Sequence, residues 1–77
     1  MHTHAFPIQI TEEAQGYSVT CPALPGCHSQ GETLEQAKQN IREAILLVLE
    51  DMAEHGEALP DPSKLLLTTV TVEVDAA

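Results

Sequence analysis

The sequence predicts an α+β domain of two layers, with its elements in the order β-β-β-α-β. Three observations carry that reading. Near the start, Phe6, Ile8 and Ile10 alternate with Pro7, Gln9 and Thr11, the period-two pattern of a strand with one buried face. In the middle, one stripe of apolar residues recurs at helical spacing behind a capping sequence. At the end, Val70, Val72 and Val74 alternate with Thr69, Thr71 and Glu73.

The elements follow in order. Pro7 lacks a backbone donor and suits the entry or edge of the first strand. Residues 12–16, Glu-Glu-Ala-Gln-Gly, read as a hairpin loop closing on a permissive glycine. Tyr17, Val19 and Cys21 alternate with Ser18 and Thr20 as a second strand. Two prolines and a glycine in residues 22–26 exclude regular structure there. A short third strand is expected over residues 27–30, ended by Gly31.

Thr33 opens the helix. Thr33-Leu34-Glu35-Gln36 matches a capping box, in which the Thr hydroxyl accepts from the backbone of Gln36 while the Gln side chain reaches back. Leu34, Ala37, Ile41, Ala44, Ile45, Val48 and Met52 then share one stripe. Gly56 is a natural residue just past the helix end, with His55 near the negative pole of the dipole. The helix is expected over residues 34–55, about six turns. A stiff crossover containing Pro60 and Pro62 leads to a last strand over residues 68–74, placed parallel to the first. One helix covers one sheet face. The other face, with Gln9, Thr11, Ser18, Thr20, His28, Gln30, Thr69 and Thr71, is expected to be polar and open.

Seventy-seven residues make one domain, residues 1–77. A chain of about 60 residues buries only roughly 60% of its unfolded surface, so self-association into a dimer or higher oligomer is expected. Phe6 and Tyr17 are the only Phe, Tyr or Trp residues, which leaves Ile, Leu and Val to build the core. Charge is lopsided, with 12 acidic residues against 3 basic ones and a net charge of −9. Lys38, Arg42 and Lys64 cannot neutralise a row of phosphates, so direct nucleic-acid binding is excluded, as is attraction to an anionic membrane. Basic proteins are the partners such a surface attracts. Neither a membrane-length apolar run nor a signal-peptide pattern occurs, and a cytoplasmic protein with two free thiols is expected.

Candidate chemistry is thin. Cys27 and His28 are adjacent on a strand and point to opposite faces, so they make no nucleophile–base pair, and Cys27 reads as a small buried hydrophobe. Cys21 and Cys27 flank a five-residue loop, and their spacing is not that of a Cys-x-x-Cys redox motif. Structural zinc needs four well-placed ligands, which these thiols and His28 do not supply. His2 and His4 lie in a chain end expected to be flexible, where metal capture is incidental. The strand–helix order resembles the opening of the ribonuclease H architecture, whose hydrolysis needs carboxylates holding two cations about 4 Å apart. Glu12 ends its strand, Glu50 and Asp51 sit on the solvent side of the helix and Glu73 stands alone, so nothing converges. No catalytic, metal or cofactor residues are assigned. Leu46 and Leu47 break the helical pattern on either side of Glu50 and mark a candidate self-association surface.

The segment Tyr17-Ser18-Val19-Thr20-Cys21-Pro22-Ala23-Leu24-Pro25-Gly26-Cys27, continued by Gly31 and Thr33-Leu34-Glu35-Gln36-Ala37, resembles the HicB-like antitoxin family. That family shows Y-x-V-x-x-P-x-L-P-G-C, then G-x-T-x-x-E-A at a helix start, and a helix that ends in Gly with a Pro-containing exit. Gly56, Leu59-Pro60 and Pro62-Ser63 match that exit. The resemblance implies a degenerate ribonuclease H-like fold without catalytic carboxylates. It also implies a partner, a small basic HicA-type RNA-cleaving toxin of a type II toxin–antitoxin system, bound and neutralised. Three departures stand out: Cys21 replaces a common aromatic, Gln36 replaces a common Glu, and no operator-binding C-terminal domain follows the expected last strand. Operator binding is therefore not expected. Candidate partner-binding residues are Leu24 and Pro25 in the loop, with Glu12, Glu13 and Glu32 as charged neighbours. An alternative reading is an orphan, non-catalytic module that self-associates through Leu46 and Leu47 or a sheet edge. A metal-dependent nuclease is a residual third.

Overall fold

The computed structural model of the protein describes residues 3–75. Three strands, β1 (Gln9–Glu13), β2 (Gly16–Thr20) and β3 (His28–Gly31), form an antiparallel meander in the order β1-β2-β3. One helix, α1 (Leu34–Glu54), covers part of one face, and a single 3₁₀ turn (Pro62–Lys64) follows. The domain is thus α+β and two-layered, as expected.

Register shows why β1 lies further along the chain than the apolar alternation suggested. Glu13 pairs with Gly16 across a two-residue turn, and Gln9 pairs with Thr20. Gly16 has φ +119°, which L side chains avoid, so the turn closes there and sets every pair behind it. β2 stops at Thr20 because Pro22 cannot donate to a ladder. Phe6 and Ile8 therefore lie beyond the reach of β2, yet both are half-buried against the core. Gln9, Thr20 and His28 form one row of the outer face, and Thr11, Ser18 and Gln30 form the next. That face is polar and largely open, as its alternation requires.

The helix begins and ends as its caps dictate. Thr33 Oγ1 accepts from the Gln36 amide at 3.1 Å, while Gln36 Oε1 accepts from the Glu32 amide at 2.9 Å, one residue upstream of the expected Thr33 amide. At the far end, Glu57 N–H bonds to Met52 O at 2.9 Å and Gly56 N–H to Ala53 O at 3.2 Å. With Gly56 at φ +69°, this is a Schellman motif that satisfies the last carbonyls. The helix ends at Glu54 with His55 as its cap, one residue short of the expected bound. Leu34 is exposed despite its place in the predicted stripe, and Leu49 is half-buried although the stripe omitted it.

Helix and sheet meet closely at one point. Ala37 is fully buried over Gly31, where a Cβ would lie 2.8 Å from the Gln36 carbonyl carbon. Asn40 Nδ2 donates to Gln30 O at 2.7 Å, tying the second helical turn to the edge of β3. α1 consequently rests on β3 and β2 and not on β1. Among the described residues the buried core is Val19, Cys21, Leu24, Cys27, Ala37, Ile41 and Ile45. Two cysteines and an alanine thus share a core that the composition assigned to Ile, Leu and Val.

One expected element is not formed. Residues 68–74 pair with no strand, and Val70, Val72 and Val74 are 84, 73 and 75% exposed. The order among the described residues is β-β-β-α, and a ribonuclease H-like arrangement with a fourth strand beside β1 is not seen. The alternation shows that one face of this segment suits burial, but it does not specify what buries it.

Two glycines separate space from backbone strain. Gly31→Ala is expected to force α1 off β3 and destabilise the domain by about 1–3 kcal/mol. Gly56→Ala meets no neighbour within 4 Å and pays only for its left-handed φ, about 1 kcal/mol. Thermal unfolding by circular dichroism should therefore show the larger fall for Gly31→Ala; the reverse order would contradict the close approach.

Candidate interaction surface

Backbone geometry makes the loop between β2 and β3 a folding device. Leu24 N–H bonds to Cys21 O at 2.9 Å and closes a first turn over Pro22 and Ala23. Cys27 N–H bonds to Leu24 O at 2.9 Å and closes a second over Pro25 and Gly26, with Gly26 at φ +84°. Pro then Gly with positive φ is the type II arrangement. Cys21 N–H bonds to Cys27 O at 3.0 Å and seals the base. The two turns hinge at Leu24, whose side chain drops into the core and is 3% exposed. Leu24 was expected on the surface as a partner contact; burial removes it from that role and makes it a plug beneath the loop. Pro25 remains exposed.

Cys21 and Cys27 are free and buried. Burial pushes the Cys27 thiol up, and the neighbouring Cys21 adds in the same direction. A neutral thiol in an apolar setting packs as a small hydrophobe and is a poor nucleophile. His28 is exposed on the opposite face, as alternation requires, so the pair does not meet. His4 is exposed with its ring edge-on to Phe6 at 6.5 Å between centroids, and His2 lies outside the described residues. Among the described residues no three His, Cys, Asp or Glu side chains are placed to share a metal ion.

The acidic candidates divide differently. Glu13 ends β1 beside the hairpin turn, and Glu32 follows β3; the pairings Glu13↔Gly16 and Tyr17↔Gly31 bring these two ends together. Both line a polar depression of about 570 Å³ with Tyr17, Gln30, Gln36 and Asn40. Gln36 and Asn40, which the sequence reading did not connect with a partner surface, are held there by their bonds to Glu32 and Gln30. Glu12 is exposed one residue away, opposite Tyr17. Pro25 sits at the other end of β2, roughly 17 Å distant for five extended residues. The residues expected as one patch are thus two: an acidic end and a loop end. Leu46 and Leu47 are 54 and 67% exposed, and Leu46 also lines an apolar groove between α1 and the segment leading into β1.

An antiparallel meander under one capped helix, with an L-P-G-C double turn and an acidic hairpin end, makes a small α+β domain. Residues 6–75 match the family described as HicB-like antitoxin of bacterial toxin–antitoxin systems, and the chain belongs to that family. It is 61% identical over 45 residues to a UPF0150 protein of Synechocystis, covering 58% of this chain and 57% of that one. A UPF0150 protein of Thermoplasma acidophilum is 43% identical over 56 residues, covering 71% of this chain and 81% of the relative. An uncharacterised 14.9 kDa protein from the rep–hol intergenic region of Haemophilus phage HP1 is 46% identical over 55 residues, covering 71% of this chain and 41% of that protein. The chain therefore spans just over half of the Synechocystis relative and less than half of the phage protein. No helix among the described residues is long and apolar enough to cross a membrane.

Two outcomes test the division between folding and surface residues. Leu24→Ala should cost about 2–5 kcal/mol by urea unfolding, whereas Pro25→Ala, being exposed, should cost under about 1 kcal/mol. Iodoacetamide at about pH 8 should modify Cys27 at least roughly tenfold more slowly in the folded protein than in urea, because the thiol is both buried and held protonated. The raised pKa favours the folded state while the thiol stays neutral, so this contribution is lost only as pH climbs through the alkaline range.

Proposed function

We propose that this chain is the antitoxin of a type II toxin–antitoxin pair and neutralises a small basic RNA-cleaving toxin of the HicA type by covering its active surface. Membership of the HicB-like antitoxin family over residues 6–75 is the observation that carries this reading. A net charge of −9 supports it, because a strongly acidic domain attracts a basic partner over several ångströms of solvent. Glu12, Glu13 and Glu32 at the hairpin end would steer the encounter, and Pro25 would make an apolar contact at the loop end. A partner touching both must span the length of β2. In this role the protein acts by binding alone, without cofactor, membrane or direct nucleic-acid contact.

The test starts from the reading frame next to the gene, which should encode a short basic chain. Purified, that chain should cleave RNA, and stoichiometric addition of the present protein should stop the cleavage. Undiminished cleavage with the protein in excess would overturn the proposal. Glu13→Lys combined with Glu32→Lys should slow association by about tenfold at low salt with little change in dissociation, since solvent-exposed rim charges act mainly on encounter. Stopped-flow binding across a salt series reads both rates.

A further inference from the structure

We propose that residues 66–75 form the fourth strand of a second copy of this chain, added reciprocally beside β1 in a strand-exchanged dimer. The segment has the pattern of a half-buried strand and nothing to pair with. Leu66, Thr68, Val70, Val72 and Val74 fall on one face, and its four apolar members are 83, 84, 73 and 75% exposed. Leu67, Thr69, Thr71 and Glu73 fall on the other. A strand with an apolar and a polar face is stable only against a sheet edge that offers both.

Such an edge exists in the same molecule. β1 pairs with β2 on one side only, and α1 overhangs without reaching it. Between α1 and the segment leading into β1 runs a groove of about 530 Å³ whose apolar wall is Phe6, Ile8, Ile41, Ile45, Leu46 and Leu49. Valines of an added strand would enter this groove, and its threonines would extend the polar rows of Gln9 and Thr11. The receiving edge and the unpaired segment thus match at the valines on one face and at Thr69 and Thr71 on the other.

Shape and linker favour exchange over closure within one chain. A compact chain of this length has a radius of gyration of about 11–12 Å; this one has 15.2 Å, with a longest extent of 51 Å. The exit from the helix is docked: Pro62 is buried, and Asp61 Oδ1 accepts from Ser63 N–H at 3.0 Å and from Ser63 Oγ at 2.6 Å. A stiff, proline-bearing turn holds the chain to its own body up to Leu65, and the segment leaves its own edge vacant beyond it. Exchange of an identical element through a short hinge is a low-cost route to a dimer. The match to the HicB-like family runs through residue 75, so the segment is part of the domain and not an appendage. The inference stands apart from toxin binding and survives if that reading fails.

Sedimentation equilibrium at micromolar concentration should give twice 8.3 kDa for the wild type. Val70→Pro with Val72→Pro should give the monomer mass with the helical dichroism retained. Should proline disturb the fold, Val70→Ser with Val72→Ser removes the same apolar face without altering the backbone, and the same fall in mass is expected. Isotope-filtered NMR of a mixture of ¹³C-methyl-labelled and unlabelled copies, exchanged through unfolding, should show contacts between valine methyls of one copy and Phe6 and Ile8 of the other. A monomeric wild type, valine contacts confined to one copy, or a dimer intact in the tail variants but dissolved by Leu47→Glu would each overturn the proposal.

Discussion

The contact of Ala37 on Gly31 is the constraint on which the rest of this small domain depends. It is possible only because position 31 has no Cβ and position 37 has the smallest one, so the first helical turn lies directly on the end of β3. Close approach there lets Gln36 cap the Glu32 amide and Asn40 reach the Gln30 carbonyl. Those two bonds hold the strand end and the helix start as one unit. The acidic hairpin end owes its geometry to the same contact, because Glu32 sits on the short link between them.

Anchoring the helix over β3 also creates the asymmetry of the molecule. α1, about 31 Å long at 1.5 Å per residue, lies on β3 and β2 and overhangs the β1 side. A core of seven buried residues among those described is small for a free-standing domain. Apolar surface that a fourth strand would cover stays open along Phe6, Ile8 and Leu46, while the segment able to cover it projects outward. Two surfaces of opposite character result, one acidic and polar at the hairpin end, the other apolar beneath the helix. The two depressions share no lining residue.

The loop motif takes on a different meaning once its bonds are traced. Pro25 and Gly26 build a type II turn, Cys21 and Cys27 close the loop through their backbones, and Leu24 fills the space below. Most of that segment therefore specifies the connection between two strands. Pro25 is left projecting from it into solvent.

Read alone, the sequence determined the three-stranded meander, the capped helix, the polar outer face and the family, because each is written in local signals: alternation, a Thr-x-x-Gln box, glycines where φ is positive, and an L-P-G-C turn. It located Cys27 in the core and His28 outside by strand alternation alone. It placed Leu24 on the surface, since a loop leucine shows no sign of the buried hinge that two consecutive turns create. Nor could it show that Glu13 and Glu32, 19 positions apart, share one depression with Gln36 and Asn40, which depends on strand register. The fate of residues 68–74 was decided only by tertiary structure. Alternation records that a strand has an apolar face, but burial is a property of whatever lies opposite, and no periodicity names that surface.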